Sequence, residues 1–453
     1  MSDKITELMR KEGMSEAVIK SFFFYYSLLR QGSSGYYSEK DISPPLDSDI
    51  LNIKSLTGGQ IGDFSRLAVI KLNGGLGTSM GLERAKSLIP VKNNLNFLDI
   101  IARQILKLRQ KTGQDIPLIL LNSFNTSTDT LNHLSRYSDL KTGKLPLDIQ
   151  QNKYPKICRE DLSPLQLSEG QLNWNPPGHG EIYQVLQDSG LLEKLLNTGY
   201  EYAFLSNADN LGAVPDARIL AELTSREIPF LMEVCLRTEL DKKGGHLARS
   251  EDGHLILREV AQCPDMEVPF FQDITRYRYF NTNNIWVNLK ALKREISQNE
   301  GFLSLPLIIN RKEVRNIPVY QLETAMGAAI SLFNGAKALE VGRDRFIPVK
   351  KTNDLLTIWS DAYELSEDYL LFLCDERTSP PVINLDDKYY RTIGQLEEHI
   401  RIVPSLKYCE SLQVSGDFIF AGKITFRGRV KLKTERKKVL SESVFNNEEI
   451  THS

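Results

Sequence analysis

Three short stretches of this chain bring together residue types that could handle phosphates and a metal ion. The first, KLNGGLGTSMGLERAKS from Lys71 to Ser87, directly follows the apolar run LAVIK and carries Gly74, Gly75, Gly77 and Gly81 with Thr78 and Ser79. Glycines let such a loop turn sharply, aim backbone N–H groups inward and admit phosphate oxygens where a Cβ would otherwise stand. A nucleotide triphosphate could lie across it. The spacing fits neither the P-loop nor G-x-G-x-x-G, and a tight structural turn has similar composition. The second, SNADN, puts Asn207 and Asp209 just after the run YAFLS. Asp209 is the candidate Mg²⁺ ligand, because Mg²⁺ takes one or two carboxylates together with phosphate oxygens and water; Asx turn chemistry also favours these residues after a strand. The third, PPGHGE, sets Gly178, His179 and Gly180 ahead of a helix beginning near Glu181, where free N–H groups can meet a base or a phosphate. A histidine satisfied by the backbone is the structural alternative for His179.

These stretches need a scaffold that holds them at one edge. From about Arg66 onward, buried-type strands (LAVIKL, PLILLN, YAFLS, PFLMEVCL) alternate with helical stretches such as Glu181 to Leu196 and Glu323 to Phe333. That alternation predicts an α/β fold, a Rossmann-like mixed sheet with helices on both faces, whose ligands bind beyond the carboxyl ends of the strands. Residues 1–55 read as a helical lead-in, with an amphipathic pattern from Lys4 to about Arg30 and an aromatic run, Phe22 to Tyr26, expected to pack against the main body. Residues 56–375 read as the catalytic domain. Residues 376–453 end in LQVSGDFIFAGKITFRGRVKLK, where Leu412, Phe418, Ile424 and Val430 share one register of six and Gly416, Gly422 and Gly428 another. Such hexads suggest coils of a β-helix, with a β-meander as the alternative, and the basic run from Lys431 to Lys438 is its solvated face.

With 453 residues, 41% apolar and 25% charged, the chain is large enough for an enzyme core, and a net charge of -2 gives no global field favouring nucleic acid. Five scattered cysteines, without C-x-x-C or Cys/His clusters, point to a reducing cytosol and no zinc. No run is long and apolar enough for a membrane span, so a soluble cytoplasmic protein is expected.

The glycine-rich stretch closely resembles the signature of the eukaryotic-type UDP-glucose pyrophosphorylases. The likeness recurs in order at WNPPGHGEIY, FLSNADNLGA, MEVCLRTELDKKGGHL, LREVAQCP, FNTNNIWV, QLETAMGAAI and RFIPVKKTNDLL. It implies a GT-A-like nucleotidyltransferase that joins UTP and glucose 1-phosphate with Mg²⁺, releasing pyrophosphate. By the same resemblance, Leu72, Gly74, Gly75, Leu76, Gly77 and Thr78 hold the nucleotide, and Gln151, Gly178 and Leu76 read uracil. His179, Asn207, Gly245, Glu259, Asn281 and Asn283 surround the substrate. Lys350 is the catalytic cation, on the family's R-F-x-P-V-K spacing with Lys351 as rival, and Lys86 holds the triphosphate.

One departure stands out. Where relatives have Gly-Pro-Lys-Ser, this chain has Arg84-Ala85-Lys86-Ser87, so the loop before Lys86 is expected to be more mobile without proline's fixed φ. The motif leaves open another hexose 1-phosphate, such as galactose or N-acetylglucosamine, and a sensor that binds the sugar nucleotide without making it. Relatives also assemble through C-terminal domains of this kind, and the repeat here offers an edge for a homo-oligomer.

Overall fold

The computed structural model describes residues 2–56, 63–299 and 301–452. Eight strands form the central path of one sheet: β1 (Ile50–Asn52), β2 (Leu67–Leu72), β3 (Leu118–Asn122), β4 (Asp148–Gln150), β5 (Tyr202–Asn207), β6 (Phe230–Leu236), β7 (Tyr279–Asn288) and β8 (Lys337–Glu340). Their order is β1-β8-β6-β7-β5-β2-β3-β4. All neighbours pair parallel except β7, which runs antiparallel to both β5 and β6. A hairpin, His246–Ser250 with Leu255–Arg258, widens the sheet beside β7.

The apolar runs become strands buried on both faces because alternate residues feed two cores. Leu67, Val69, Leu118, Leu120 and Phe204 join one cluster, while Ala68, Ile70, Ile119, Leu121 and Leu205 join the other. Helices supply the opposing surfaces. The helices of the chain include, in chain order, α1 (Ser2–Lys11), α2 (Glu16–Arg30), α3 (Phe97–Thr112), α4 (Ile182–Asp188), α5 (Leu191–Asn197), α6 (Ala217–Ser225), α7 (Leu289–Gln298), α8 (Thr352–Trp359) and α9 (Ile393–His399). The first cluster takes α3, α6 and α8, and the second α4, α5 and α7. At about 1.5–3 kcal/mol for each fully buried aliphatic side chain, these two layers are the main source of stability.

The lead-in folds as two helices, broken where Gly13 takes φ +77° and Ser15 caps the Val18 N–H. Phe22, Tyr25 and Tyr26 pack on Tyr154, Ile157 and Trp174, as expected of the aromatic run. Two helical expectations need correction. The stretch from Glu181 to Leu196 is interrupted at Gly190, φ +70°, so α4 and α5 are separate helices. The stretch from Glu323 to Phe333 is not an α-helix: Glu323 ends a strand and Met326–Leu332 is a run of 3₁₀ turns. Sequence periodicity cannot separate these from an α-helix here, because Thr324 is held by the turn at Pro177–Gly180 through Thr324 N–H to Pro177 O and Gly180 N–H to Thr324 O, both 2.9 Å.

Toward the C-terminus, strands β9 (Val382–Leu385), β10 (Ser405–Ser415), β11 (Phe418–Phe420), β12 (Ile424–Thr434), β13 (Lys438–Leu440), β14 (Ser443–Asn446) and β15 (Glu449–His452) all pair parallel. Leu412 pairs with Val430 and Lys431 with Glu449, so a position returns three six-residue repeats later. Leu412, Phe418, Phe426 and Val430 belong to the same apolar cluster as Val69 and Leu355, so one core runs across residue 376. This unit also meets the glycine loop: a Cβ at Gly81 would stand 2.9 Å from Thr392, the N-cap of α9. Among the described residues, no helix is long and apolar enough to cross a membrane.

Candidate active site

Beyond the carboxyl ends of β2, β3 and β5 opens a cleft of about 300 Å³. Its walls include Leu72, Gly74, Gly75, Lys86, Gln151, Gly178, His179, Asn207 and Asp209. Asn73, Ser87, Leu121, Pro176 and Ala208 complete it and were not anticipated. Asn73 and Ser87 lie inside the glycine-rich stretch, so their polar types were the available signal. Leu121, Pro176 and Ala208 shape the walls without a chemical signature.

The glycine-rich stretch folds back on itself. Leu76 bridges Ala85, with Gly77 N–H on the Arg84 carbonyl at 3.4 Å and Lys86 N–H on the Gly75 carbonyl at 3.2 Å. Among the described residues, no protein group accepts the N–H groups of Gly74, Gly75 and Leu76. Thr78 begins a 3₁₀ turn that ends at Gly81, φ +78°; the side chain of Ser79 lies outside the described residues. Asn73 fixes the start of the loop by donating from Nδ2 to Asn122 Oδ1 at 2.8 Å and Thr130 Oγ1 at 2.9 Å. The Ser87 hydroxyl is buried at the cleft wall without a hydrogen-bond partner among the described residues. A buried polar group left unpaired costs about 1–3 kcal/mol, so this wall favours a polar ligand.

Ala85 departs from proline in type but not in conformation. Its φ is -53°, within reach of proline's fixed value of about -65°, and it is fully buried. The backbone at this joint is therefore one that proline could adopt. Ala85→Pro is expected to raise stability by about 0.4–1 kcal/mol through the unfolded chain; a lowered melting temperature would show that the ring does not fit its surroundings.

On the opposite wall, Gln151 donates from Nε2 to the Gly178 carbonyl at 2.8 Å, which ties two chain-distant residues into one surface. Asn152 N–H donates to Glu181 Oε2 at 3.0 Å and anchors the same segment. Burial pushes the Glu181 carboxyl up to about 8. Gly178 has φ +83°, and a Cβ there would come within 2.3 Å of the Thr324 carbonyl oxygen and 2.7 Å of its nitrogen. Gly178→Ala is therefore expected to lower the melting temperature, since such backbone strain costs about 1–3 kcal/mol before any clash is relieved. A thermal melt checks this, and an unchanged melting temperature would show that the turn relaxes around the added methyl.

His179 accepts the Met326 N–H at Nδ1, 2.9 Å away, and burial pulls its pKa down to about 4. Near neutral pH the ring is therefore uncharged, and its proton sits on Nε2. That leaves one N–H donor for the cleft.

Lys86 and Asp209 are paired through Nζ and Oδ2. The Asp209 carbonyl accepts the Val349 N–H at 3.2 Å and Asn210 bridges Pro348, so the segment carrying Lys350 lies directly against the segment carrying Asp209. Lys350 is exposed; its ammonium is 5.9 Å from the Phe346 ring centroid, and its N–H donates to Asp354 Oδ2 at 2.7 Å.

Gly245, Glu259, Asn281 and Asn283 form a second cluster. A Cβ on Gly245 would be 2.6 Å from the Glu259 carboxylate, and Asn281 N–H donates to the Gly245 carbonyl at 3.0 Å. Asn283, φ +59°, sits at the bulge where β6 and β7 change register, and its Oδ1 accepts from Asn281 Nδ2 at 2.7 Å. Burial raises the Glu259 carboxyl while the Lys350 ammonium opposes the rise, which places Lys350 within electrostatic reach of this cluster. Leu76, Gly77, Thr78 and Lys350 are not among the residues that line the cleft itself.

A divalent ion would find one cleft carboxylate, Asp209, beside the Asn207 amide; among the described residues no group of three His, Cys, Asp or Glu side chains gathers as a metal cage. That donor set fits Mg²⁺, a hard cation that completes its shell with phosphate oxygens and water, and does not fit a cage-bound ion.

The family described as UTP–glucose-1-phosphate uridylyltransferase matches residues 19–427. The Pyrus pyrifolia protein of that name is 43% identical over 82% of this chain and 78% of its own length, and the Solanum tuberosum protein 41% identical over 85% and 79%. Among solved structures, a UDP-glucose phosphorylase from Trypanosoma brucei superposes with a TM-score of 0.91 at 42% identity, covering 100% of this chain and 99% of that one. A variant of the Leishmania major UDP-glucose pyrophosphorylase in complex with UDP-glucose gives 0.92 at 38%, with 100% and 99% covered. The chain belongs to the UTP–glucose-1-phosphate uridylyltransferase family.

Proposed function

We propose that this chain transfers the uridylyl group of UTP to glucose 1-phosphate, releasing pyrophosphate, and that UTP lies in the cleft beyond β2, β3 and β5. The observation that carries this reading is the convergence of unpaired loop N–H groups, the Lys86–Asp209 pair and the Lys350 segment at one strand edge.

Each group has a task that its surroundings suit. Gln151 spends one amide proton on the Gly178 carbonyl, which orients its Oε1 as an acceptor for the uracil N3–H. The N–H groups of Gly74, Gly75 and Leu76 and the Ser87 hydroxyl receive triphosphate oxygens. Glu259, Asn281 and Asn283, joined by the His179 Nε2–H, offer acceptors and donors to hexose hydroxyls. Asp209 and Asn207 would hold Mg²⁺, and the chemistry it would supply there is charge neutralisation and polarisation of phosphate oxygens. Lys86 then exchanges Asp209 for the phosphates. Lys350 clamps the attacking sugar-phosphate oxygen and the α-phosphate, and the displacement runs in line without a side-chain nucleophile.

The parallel C-terminal strands, with positions recurring every three hexads, support a small β-helix over 376–453, adjoining the catalytic domain 56–375. The test of the whole reading is Mg²⁺-dependent pyrophosphate release from UTP across a panel of sugar 1-phosphates. Release with glucose 1-phosphate well above the galactose and N-acetylglucosamine forms is the expected result. Tight UDP-glucose binding with no release would leave a sensor instead.

A further inference from the structure

A buried charge pair underlies the two catalytic groups, although neither of its members reaches the cleft. Glu233 on β6 is 0% exposed and Arg345 is 5% exposed. They meet side-on, Arg345 Nε to Glu233 Oε2 at 2.7 Å and Nη2 to Oε1 at 2.5 Å. The carboxylate is saturated further by Trp286 Nε1 at 2.8 Å and Asn284 Nδ2 at 3.0 Å, both from β7. A buried ion pair of this kind adds little stability over an apolar replacement, so its geometry is the more telling property.

From that anchor, bonds run to both catalytic segments. The Arg345 carbonyl accepts Asn210 Nδ2 at 3.1 Å, and Arg345 Nη2 donates to the Val214 carbonyl at 3.0 Å. Both ends of the loop that starts at Asp209 are thus tied to one residue. Lys71, also buried, holds the same loop by donating to Ala213 O at 2.6 Å. In the other direction, Asn210 Oδ1 accepts the Ile347 N–H at 2.8 Å, and Val349 N–H reaches the Asp209 carbonyl. The stretch from Arg345 to Val349 is therefore tied through Arg345, Ile347 and Val349 onto the stretch from Asp209 to Val214.

We propose that Arg345, locked by Glu233, is a positioning residue that sets the separation between the Asp209 carboxylate and the Lys350 ammonium, with Asn210 as the relay. This rests on the roles given to Asp209 and Lys350 above. Arg345→Lys keeps a buried cation but loses the fork, and Asn210→Ala leaves the Glu233–Arg345 pair intact while cutting its link to the Asp209 loop.

The experiment compares both variants with the parent for kcat, KM for UTP, Mg²⁺ activation midpoint and melting temperature. Groups that orient a metal site from behind are typically worth about 10–100-fold, so kcat is expected to fall by that factor and the Mg²⁺ midpoint to rise, with KM for UTP within about threefold. A role confined to stability would lower the melting temperature and leave the kcat and Mg²⁺ response of the folded fraction unchanged, which overturns the proposal. If Arg345→Lys does not fold, Asn210→Ala alone decides it by the same criteria. Lys350→Ala and Asp209→Asn are measured alongside. Should these lose turnover while a folded Asn210→Ala does not, only the positioning role fails; should they retain it, the active-site reading itself fails.

Discussion

Lys350→Ala is expected to fold as the parent does and to lose about 10²- to 10³-fold in kcat, equivalent to about 3–4 kcal/mol of transition-state stabilisation. The reason is electrostatic. Like charges about 4 Å apart repel by roughly 4 kcal/mol at an effective dielectric near 20, and the reaction brings a phosphate monoester against a triphosphate. Folding is spared because Lys350 is exposed and its bond to Asp354 uses the backbone N–H. Its ammonium lies 5.9 Å from the Phe346 ring centroid and within electrostatic reach of Glu259 in the proposed sugar cluster. Lys351→Ala is the matched control: it is exposed as well, and its N–H donates to the same Asp354 oxygen at 2.9 Å. Steady-state rates of pyrophosphate release decide between them. Parent-like turnover in Lys350→Ala, with loss in Lys351→Ala, would transfer the role to the neighbour.

The strands were legible because their apolar residues are contiguous and long enough to feed two cores. LAVIKL, YAFLS and PFLMEVCL became β2, β5 and β6 with alternate residues on opposite faces. Helix boundaries were less legible where backbone conformation, and not periodicity, decides. Gly190 splits one amphipathic run into two helices, and the Pro177–Gly180 clamp on Thr324 leads into 3₁₀ turns. In the cleft, glycines and charged residues announced themselves by type. Leu121 and Ala208 did not, since an apolar residue that shapes a wall looks like any other core residue. The Glu233–Arg345 pair was invisible for a different reason: its partners are 112 positions apart in sequence. In the glycine loop, Ala85 stands where relatives have proline, and its φ of -53° lies in proline's range, which its residue type alone did not show.

Replacing the Asp209 carboxylate tests the other half of the charge balance. Asp209→Asn removes the negative charge and one of the two carboxylate oxygens while leaving the carbonyl that accepts Val349 N–H, so the segment keeps its backbone anchor. Turnover at millimolar Mg²⁺ is expected to fall on the order of 10³-fold, with part of the loss recovered at higher Mg²⁺ as the weakened site fills. Lys86 gives this prediction a second, independent sign. Its Nζ pairs with Asp209 Oδ2, so ammonium and metal would compete for one carboxylate. In Lys86→Ala the free enzyme should therefore bind Mg²⁺ more tightly than the parent, by calorimetry without nucleotide, even as kcat falls because a phosphate contact is lost. In Asp209→Asn both Mg²⁺ affinity and kcat should fall. If Lys86→Ala weakened metal binding instead, Lys86 would be organising Asp209 for the metal, and the exchange of partners proposed for this lysine would be wrong.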